Sequence, residues 1–386
     1  MIIIDDKRKC SGCMACKNAC ASGAITMKYD SEGFWYPEVN KDLCSNCGQC
    51  EIVCPFHDSN HGVPGKNASF RTEYYAAQLI DKRILSEVSS GGAFQAIATA
   101  VLDEGGIVYG VAQEDVDHIF HIRASSIEEL KQTRRSKYFQ SDINDTFRRA
   151  QKDLQRGKIV LFSGTGCQIA GLNCFLRKSY DKLITCEVVC HGVPSRFVWE
   201  CYRKEKEKIV GKRIVDLVFR DKSKGWNNNQ YKITYEDGST EFERSTVHLF
   251  HAGYLQGYFY RPSCGECVFA SMPRVADVTL ADFWSYHGLI KTKNLGVSLI
   301  AINNSNGEVV LEKARKYLHL EQTTRESALG SCRHMDEFPV ENPQREIFIR
   351  ETLKYGYFTT AQEYIKHDDS HLKQIILKLV RRILRS

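Results

Sequence analysis

Eight cysteines crowd into two short groups near the start of this 386-residue chain. Each group has the spacing C-x2-C-x2-C-x3-C, and the members in chain order are Cys10, Cys13, Cys16 and Cys20, then Cys44, Cys47, Cys50 and Cys54. Three cysteines spaced in this way can reach three corners of one iron–sulfur cubane, while the fourth points toward a neighbouring cubane. We therefore predict two [4Fe–4S] clusters, held by Cys10, Cys13, Cys16 and Cys54 and by Cys44, Cys47, Cys50 and Cys20.

The residues around these cysteines fit a ferredoxin-type domain, which we place at 1–62. Gly12 and Gly48 stand between the first and second cysteines, where backbone N–H groups can turn toward cluster sulfurs. Between the groups, residues 24–39 read as two short strands around a turn. The alternative is a pair of zinc sites, but zinc favours C-x2-C pairs separated by longer loops.

Composition limits the class of protein. No apolar run approaches the roughly 20 residues that span a bilayer, and the N-terminus is too short for a secretory signal, so we expect a cytoplasmic protein. The formal net charge is +6, which would suit nucleic-acid binding. Each cluster with its four thiolates carries roughly −2, so two or three clusters remove most of that excess. We therefore predict no nucleic-acid partner.

Beyond a polar linker at 57–70, strand-like and helix-like segments alternate. The expected elements are a helix from Ala93, strands at 107–111, 158–162 and 183–189, and a hairpin at 231–243. The fold class we predict is multidomain, combining α+β and α/β parts. A ferredoxin domain precedes an α/β flavin- and iron–sulfur-binding domain with a mixed sheet at 71–335, and a helical C-terminal extension follows at 336–386.

Glycine-containing turns precede two of the predicted helices, at 89–92 and 163–166. Free N–H groups at a helix N-terminus can bind phosphate, although neither turn matches a dinucleotide or Walker motif. Each is therefore either a phosphate site or a plain helix cap.

The remaining cysteines suggest a third cluster. Cys264 and Cys267 form a C-x2-C loop, Cys167 opens a helix after a strand, and Cys190 follows another strand. We predict that these four hold a third [4Fe–4S] cluster, with Cys186 as a reserve ligand because it would face the same side as Cys190. A zinc knuckle or free thiols are the alternatives.

Several motifs of the chain resemble the β subunit of coenzyme F420-reducing hydrogenase and related dehydrogenase β-type proteins with a fused ferredoxin. The matching segments are Ser90-Gly91-Gly92, Ser136-Lys137-Tyr138-Phe139-Gln140-Ser141, Gly164-Thr165-Gly166-Cys167-Gln168, Cys190-His191-Gly192-Val193-Pro194, Cys264-Gly265-Glu266-Cys267 and Ala281-Asp282-Phe283-Trp284. The chain departs from the family at Gly166, where proline is usual, and at Ala281, where glycine is usual.

The resemblance implies a flavin, FAD or else FMN, beside the inner cluster. It places Ser90, Gly91 and Gly92 at the flavin phosphates and Lys137 and Tyr138 against flavin or substrate. Thr165 is a further candidate contact. Our candidates for proton handling are His191, Lys137 and Asp282, each with a plainer explanation as a core histidine, a solvated lysine or a salt-bridged aspartate.

These features predict an iron–sulfur flavoprotein oxidoreductase that couples hydride chemistry to one-electron transfer. The alternatives are an electron-transfer subunit without its own substrate and an accessory protein with structural clusters. The expected partner is an external electron carrier or a partner subunit. Residues 371–386 read as a basic amphipathic helix, suited to a membrane surface, a partner, or packing on its own domain.

Overall fold

The computed structural model describes residues 1–57, 70–228, 230–244 and 248–365. The strands are β1 (Ile25–Tyr29), β2 (Trp35–Val39), β3 (Glu73–Leu79), β4 (Ile107–Gln113), β5 (Ile119–Ala124), β6 (Val160–Thr165), β7 (Leu183–Val188), β8 (Ile214–Asp221), β9 (Gln230–Tyr235), β10 (Thr240–Arg244), β11 (Val278–Asp282), β12 (Ser298–Ile302) and β13 (Leu318–Thr323). The α-helices are α1 (Ala15–Ala19), α2 (Gln49–Ile52), α3 (Lys82–Glu87), α4 (Ala93–Asp103), α5 (Ile127–Leu130), α6 (Thr146–Gln155), α7 (Gly166–Leu176), α8 (Arg196–Val210), α9 (Leu249–Leu255), α10 (Ser305–Ala314), α11 (Arg325–Ser331), α12 (Arg345–Tyr355) and α13 (Tyr357–Tyr364).

The N-terminal cysteine region is built from two short helices and one hairpin. Strands β1 and β2 pair antiparallel with Tyr29 opposite Trp35, which confirms the predicted hairpin. Helices α1 and α2 each follow a residue in the left-handed region, Met14 and Gly48. Because such a residue reverses the chain sharply, each cysteine loop closes tightly before its helix begins.

The main sheet has eight strands in the order β13-β3-β12-β11-β7-β6-β4-β5. Its centre is parallel, through the pairs β11–β7, β7–β6 and β6–β4, whereas the outer strands pair antiparallel. The predicted mixed α/β sheet is therefore confirmed. The glycine turn at 89–92 leads into α4, as expected. The expected turn at 163–166 is not separate, because β6 continues to Thr165 and α7 begins at Gly166.

Both faces of this sheet are buried under helices. On one face Val108 and Leu161 pack with side chains of α4 and α10, while on the other Tyr109 and Phe162 pack with α6 and α7. Neighbouring residues of a strand point to opposite faces, so these central strands are mostly apolar on both faces. This explains why the sequence shows unbroken apolar runs there.

A second sheet, in the order β10-β9-β8, carries the predicted hairpin at 231–243. Helices α8, α9, α12 and α13 cover it, and their shared core is rich in aromatic side chains. Buried rings contribute large apolar areas and favour tilted or edge-to-face contacts, as between Trp199 and Phe250.

The cysteine region is held against the rest of the chain by many buried contacts. Arg148 of α6 donates to the carbonyl oxygens of Asn18 and Cys20. On the hairpin turn, Glu32 binds Arg345 at 2.7 Å, and its carbonyl accepts a hydrogen bond from Ser195 Oγ. Most of the predicted linker and the predicted helix at 371–386 lie outside the described residues. Within the described residues, no helix is long and apolar enough to cross a membrane.

Candidate functional site

The first predicted ferredoxin set lines one cavity. Cys10, Cys13, Cys16 and Cys54 all face an open-mouthed space of about 330 Å³ whose other walls include Ile2. Burial raises the pKa of Cys13 and Cys16, and the neighbouring cysteines raise them further because like charges repel. Four thiols around one apolar space form a fitting cradle for a cluster, since iron binding deprotonates the thiol.

The second predicted set lies beside the first and closer to the surface. Cys50 is buried and packs in the same small cluster as Cys16 and Cys20, and its sulfur accepts a hydrogen bond from the Ile2 N–H at 3.3 Å. Cys47 is exposed. Cys50 therefore lies between the two cysteine sets, and the second set reaches the protein surface.

The four cysteines proposed for the inner cluster converge from three separate segments. Burial raises the pKa of Cys264 well above its usual range, and the neighbouring Cys190, Cys267 and Cys167 raise it further by charge repulsion. Burial likewise raises the pKa of Cys190 to about 12 and that of Cys267 to about 11, and each thiol feels the charge of Cys167. The structure thus brings together the four residues that the sequence singled out.

Backbone N–H groups point at two of these sulfurs. Gly192 donates to the sulfur of Cys190 at 3.3 Å, and Val193 donates to the sulfur of Cys264 at 3.4 Å. Around them, the side-chain atoms Nε2 of His191, OH of Tyr260 and Oγ of Ser263 are buried without a hydrogen-bond partner among the described residues. Unpaired buried polar atoms are costly, so their grouping here is typical of a site that binds a further group.

The described residues contain no three His, Cys, Asp or Glu side chains arranged to hold a single metal ion. A cubane distributes its ligands around four irons, and its cysteines need not meet at a point.

Helix α7 connects the inner set to the first ferredoxin set. Cys167 and Gly171 are four residues apart and lie on one face of this helix. A Cβ at Gly171 would lie 2.9 Å from the sulfur of Cys13, which means that the helix approaches the cysteine loop as closely as glycine permits. The thiol of Cys167 is also near enough for its charge to raise the pKa of Cys13, although burial is the larger cause.

The other cysteines are placed elsewhere. Cys186 lies inside β7 and is buried in the core beneath α4, whereas Cys190 lies beyond the end of that strand. The strand alternation that made Cys186 a reserve ligand therefore does not extend to Cys190. Cys174 is buried on α7, and Cys332 packs in a separate core cluster.

The turn at Ser90, Gly91 and Gly92 is pressed tightly onto the sheet. A Cβ at Gly91 would lie 2.1 Å from the Ala77 carbonyl oxygen, so no other residue fits there. Gly92 has a φ of 77°, and Ser90 Oγ donates to the Val297 carbonyl at 2.8 Å. The turn thus has a clear structural role alongside the predicted phosphate contact.

The Lys137 side chain is held by backbone carbonyl groups. Its ammonium donates to the carbonyls of Val111 at 2.8 Å and Arg134 at 2.7 Å. Burial, and to a smaller degree the charge of Arg135, lowers the pKa of Lys137 to about 7. This lysine can therefore exchange a proton near neutral pH, which is unusual for the residue type.

Two basic residues of the site were not found by sequence reasoning. Arg220 forms an ion pair with Asp282 at 2.6 Å. Lys222 donates to the carbonyls of Leu85, Ser90 and Leu295, and burial followed by the charge of Arg220 lowers its pKa to about 7. Both lie at the end of β8, with no motif spacing to reveal them.

A continuous run of contacts connects these groups to the inner cysteines. Arg220 lies near Tyr138, whose ring lies 5.9 Å from that of Tyr254. The Tyr254 ring lies 5.4 Å from that of His191, the residue after Cys190. Burial, followed by the charge of the adjacent His334, lowers the pKa of His191 to about 4, so the imidazole is neutral at pH 7.

Thr165 caps the start of α7. Its N–H donates to Gln168 Oε1 at 3.0 Å, and its hydroxyl lies 3.2 Å from the sulfur of Cys167. Thr165, the last residue of β6, is thus the cap of α7, and it contacts the inner set at Cys167.

Two families match parts of this chain. Residues 157–326 match the family described as the C terminus of the coenzyme F420 hydrogenase/dehydrogenase beta subunit. Residues 9–57 match the 4Fe-4S dicluster domain. The resemblance noted from the motifs is confirmed, and the N-terminal match is to an iron–sulfur domain.

Individual proteins match this chain over a short segment or at low sequence identity. The ferredoxin-type protein NapF of Escherichia coli (strain K12) is 35% identical over 43 residues, which are 11% of this chain and 26% of that protein, and NapF of E. coli O157:H7 matches equally. This chain therefore spans about a quarter of the length of those relatives. A chain of the F420-reducing [NiFe] hydrogenase complex from Methanosarcina barkeri aligns at 16% identity with a TM-score of 0.47, covering 75% of this chain and 90% of that one.

Proposed function

We propose that this protein is an iron–sulfur flavoprotein oxidoreductase. The proposal is supported by its matches to a 4Fe-4S dicluster domain and to the C terminus of the F420 hydrogenase/dehydrogenase β subunit. It would carry three [4Fe–4S] clusters and one flavin, FAD or alternatively FMN. When bound, the flavin supplies two-electron hydride chemistry, and the clusters supply one-electron transfer. The substrate is a small molecule of undefined identity.

The cluster ligands we propose are the twelve cysteines named from the sequence. Cys10, Cys13, Cys16 and Cys54 would hold the first cluster, Cys44, Cys47, Cys50 and Cys20 the second, and Cys167, Cys190, Cys264 and Cys267 the inner one. The shared cavity of the first set and the mutual approach of the inner set support this assignment. The contact between Gly171 and Cys13 supports a short path between the two.

For the flavin, we propose the region between the Ser90 turn and the inner cysteines. One observation carries this proposal: Ser90, Tyr138, Asp282 and His191, chosen separately from sequence motifs, lie along one run of contacts in space. Ser90, Gly91 and Gly92 would bind the phosphates, with Lys222 close by. Thr165 would contact the site from the α7 side.

The proposed role of Lys137 is to hold or deliver a proton at its Nζ atom, which its pKa of about 7 allows. His191 is neutral and buried, so it can donate or accept a hydrogen bond without adding charge. Asp282 is already balanced by Arg220, and its role would be to fix that guanidinium against Tyr138.

An electron-transfer subunit without its own substrate is the second candidate. The matched family is described as a subunit, and the second cysteine set reaches the surface, where a partner subunit or an external carrier could accept electrons. An accessory protein with structural clusters would keep the iron and lack the flavin.

The deciding experiment measures iron, acid-labile sulfide and extracted flavin per chain in protein purified without oxygen. About twelve irons and one flavin per chain agree with the oxidoreductase proposal. About eight irons without flavin contradict the inner cluster and leave the electron-transfer or accessory function. A Cys201→Ser variant is the matched control, because Cys201 lies on α8 outside all three sets.

A further inference from the structure

Arg261 differs from the other fully buried arginines of the described chain. Its side chain is 0% exposed, and it has no carboxylate partner among the described residues. By contrast, Arg274 binds Glu187 at 2.6 Å and Arg345 binds Glu32 at 2.7 Å. A buried charge without a counter-charge is strongly unfavourable, so Arg261 requires a negative group that lies near it.

The guanidinium of Arg261 lies on the loop that carries the first ferredoxin ligand. Nε donates to the Cys10 carbonyl at 2.8 Å, Nη2 donates to the Trp35 carbonyl at 2.8 Å, and Nη2 is 3.6 Å from the sulfur of Cys10. These contacts orient the cysteine loop and bring a positive charge to the edge of the first cavity.

The same guanidinium also acts on the inner cysteine set. Burial raises the pKa of Cys167, whereas the contact with the Thr165 hydroxyl and the charge of Arg261 lower it. Arg261 also precedes Cys264 by three residues, and its carbonyl accepts a hydrogen bond from the Cys264 N–H at 2.9 Å. The guanidinium therefore lies beside Cys10 of the first set, and its charge also reaches Cys167 of the inner set.

The surroundings fix this cation in place. Its Cζ atom lies 4.4 Å from the centre of the Tyr36 ring, and Nη1 is 3.4 Å from Gln140 Oε1. A Cβ at Gly12 would come within 3.0 Å of Nη1, so the loop leaves no space for the guanidinium to move. The charge is thus rigidly positioned rather than mobile.

We propose that Arg261 is a shared counter-charge of the first ferredoxin cluster and the inner cluster, and that it raises their reduction potentials. This inference rests on the proposed cluster ligands. A cluster with four thiolates is negative and becomes more negative on reduction, so a fixed neighbouring cation stabilises the reduced form. Arg261 acts through charge and position and is not a ligand.

The test is a redox titration of the full chain, followed by electron paramagnetic resonance, with iron and sulfide measured on each sample. The variants are Arg261→Met, which removes the positive charge, and Arg261→Lys, which keeps the charge but lacks the forked donor geometry of a guanidinium. Arg345→Met is the matched control, since it removes a buried arginine that contacts no proposed ligand among its hydrogen bonds.

We expect at least one reduction wave of Arg261→Met to move to lower potential. At the wild-type midpoint of that wave, the ratio of reduced to oxidised cluster falls at least threefold, about 28 mV for one electron. Arg261→Lys gives a smaller shift, and Arg345→Met moves no wave by as much. Unchanged waves in an Arg261→Met protein with wild-type iron content would overturn the inference.

If Arg261→Met cannot retain its clusters, Arg261→Lys and Arg261→Gln are compared for iron content. Retention in the lysine variant and loss in the glutamine variant support a role for charge, whereas equal loss in both overturns it. A wild-type chain with only about eight irons refutes the inner cluster alone. The shift of the first ferredoxin cluster is then still measured, so the two failures are distinguishable.

Discussion

Replacing Gly171 by alanine tests the contact between α7 and the first cysteine loop. The new methyl group would lie 2.9 Å from the sulfur and 3.1 Å from the Cβ of Cys13, both far inside ordinary van der Waals contact. Overpacking of this kind costs about 1–3 kcal/mol. The intrinsic preference of a helix for alanine over glycine opposes it by up to about 1 kcal/mol.

Gly330→Ala separates these two effects. Gly330 also lies in a helix, α11, but a Cβ there would meet no atom within 4 Å. This variant should be neutral or slightly more stable, because it has the helix preference without the collision. The difference between the two variants isolates the packing cost of about 1–3 kcal/mol.

The assay is thermal denaturation of both variants under anaerobic conditions, with iron content measured before heating. We expect Gly171→Ala to melt at a lower temperature than Gly330→Ala and to bind iron less completely, since the collision displaces Cys13. Equal melting temperatures and equal iron content would refute the reasoning. The close approach of α7 to the cysteine loop would then not constrain the loop.

Three further predictions concern single side chains. Cys267→Ser should lower the iron content by about four per chain, whereas Cys201→Ser should leave it unchanged. Lys222→Met should lower the midpoint of urea unfolding, because each buried carbonyl left without a donor costs about 1–3 kcal/mol. Burial, followed by the charge of Lys206, lowers the pKa of His248 to about 3, so the folded chain keeps it neutral while the unfolded chain protonates it below about pH 6.5. Stability is therefore lost as the pH falls, by about 2 kcal/mol from this residue at pH 5, and His248→Asn should lose less between pH 7 and pH 5 in the same assay.

The sequence predicted those parts of the molecule that depend on local spacing. The two cysteine groups, the hairpin of β1 and β2, the buried strands and the start of α7 follow from short-range patterns of cysteine, turn residues and apolar runs. The four inner cysteines could also be selected, because each of them lies at the end of an element or in a C-x2-C loop.

Long-range contacts could not be predicted in this way. Arg220 and Lys222 belong to the site through ion pairs and carbonyl contacts formed by residues far away in sequence. Arg261 is likewise a single arginine in a loop until the fold places it against Cys10, 251 residues earlier. Cys186 and Cys190 were expected to face the same side of one strand. That expectation does not hold, because β7 ends at Val188 and its alternation of side chains does not reach Cys190.

The firm attachment of the cysteine region has a kinetic consequence. Arg148, Ser195 and Arg345 bind its loop and hairpin from three different helices or helix starts, so it is not a carrier swinging on a tether. An electron entering there would cross a fixed gap by tunnelling and would not wait for diffusion. The rate of electron transfer within the chain should then be insensitive to solvent viscosity and to protein concentration. Only electron exchange with an outside partner should depend on these two conditions.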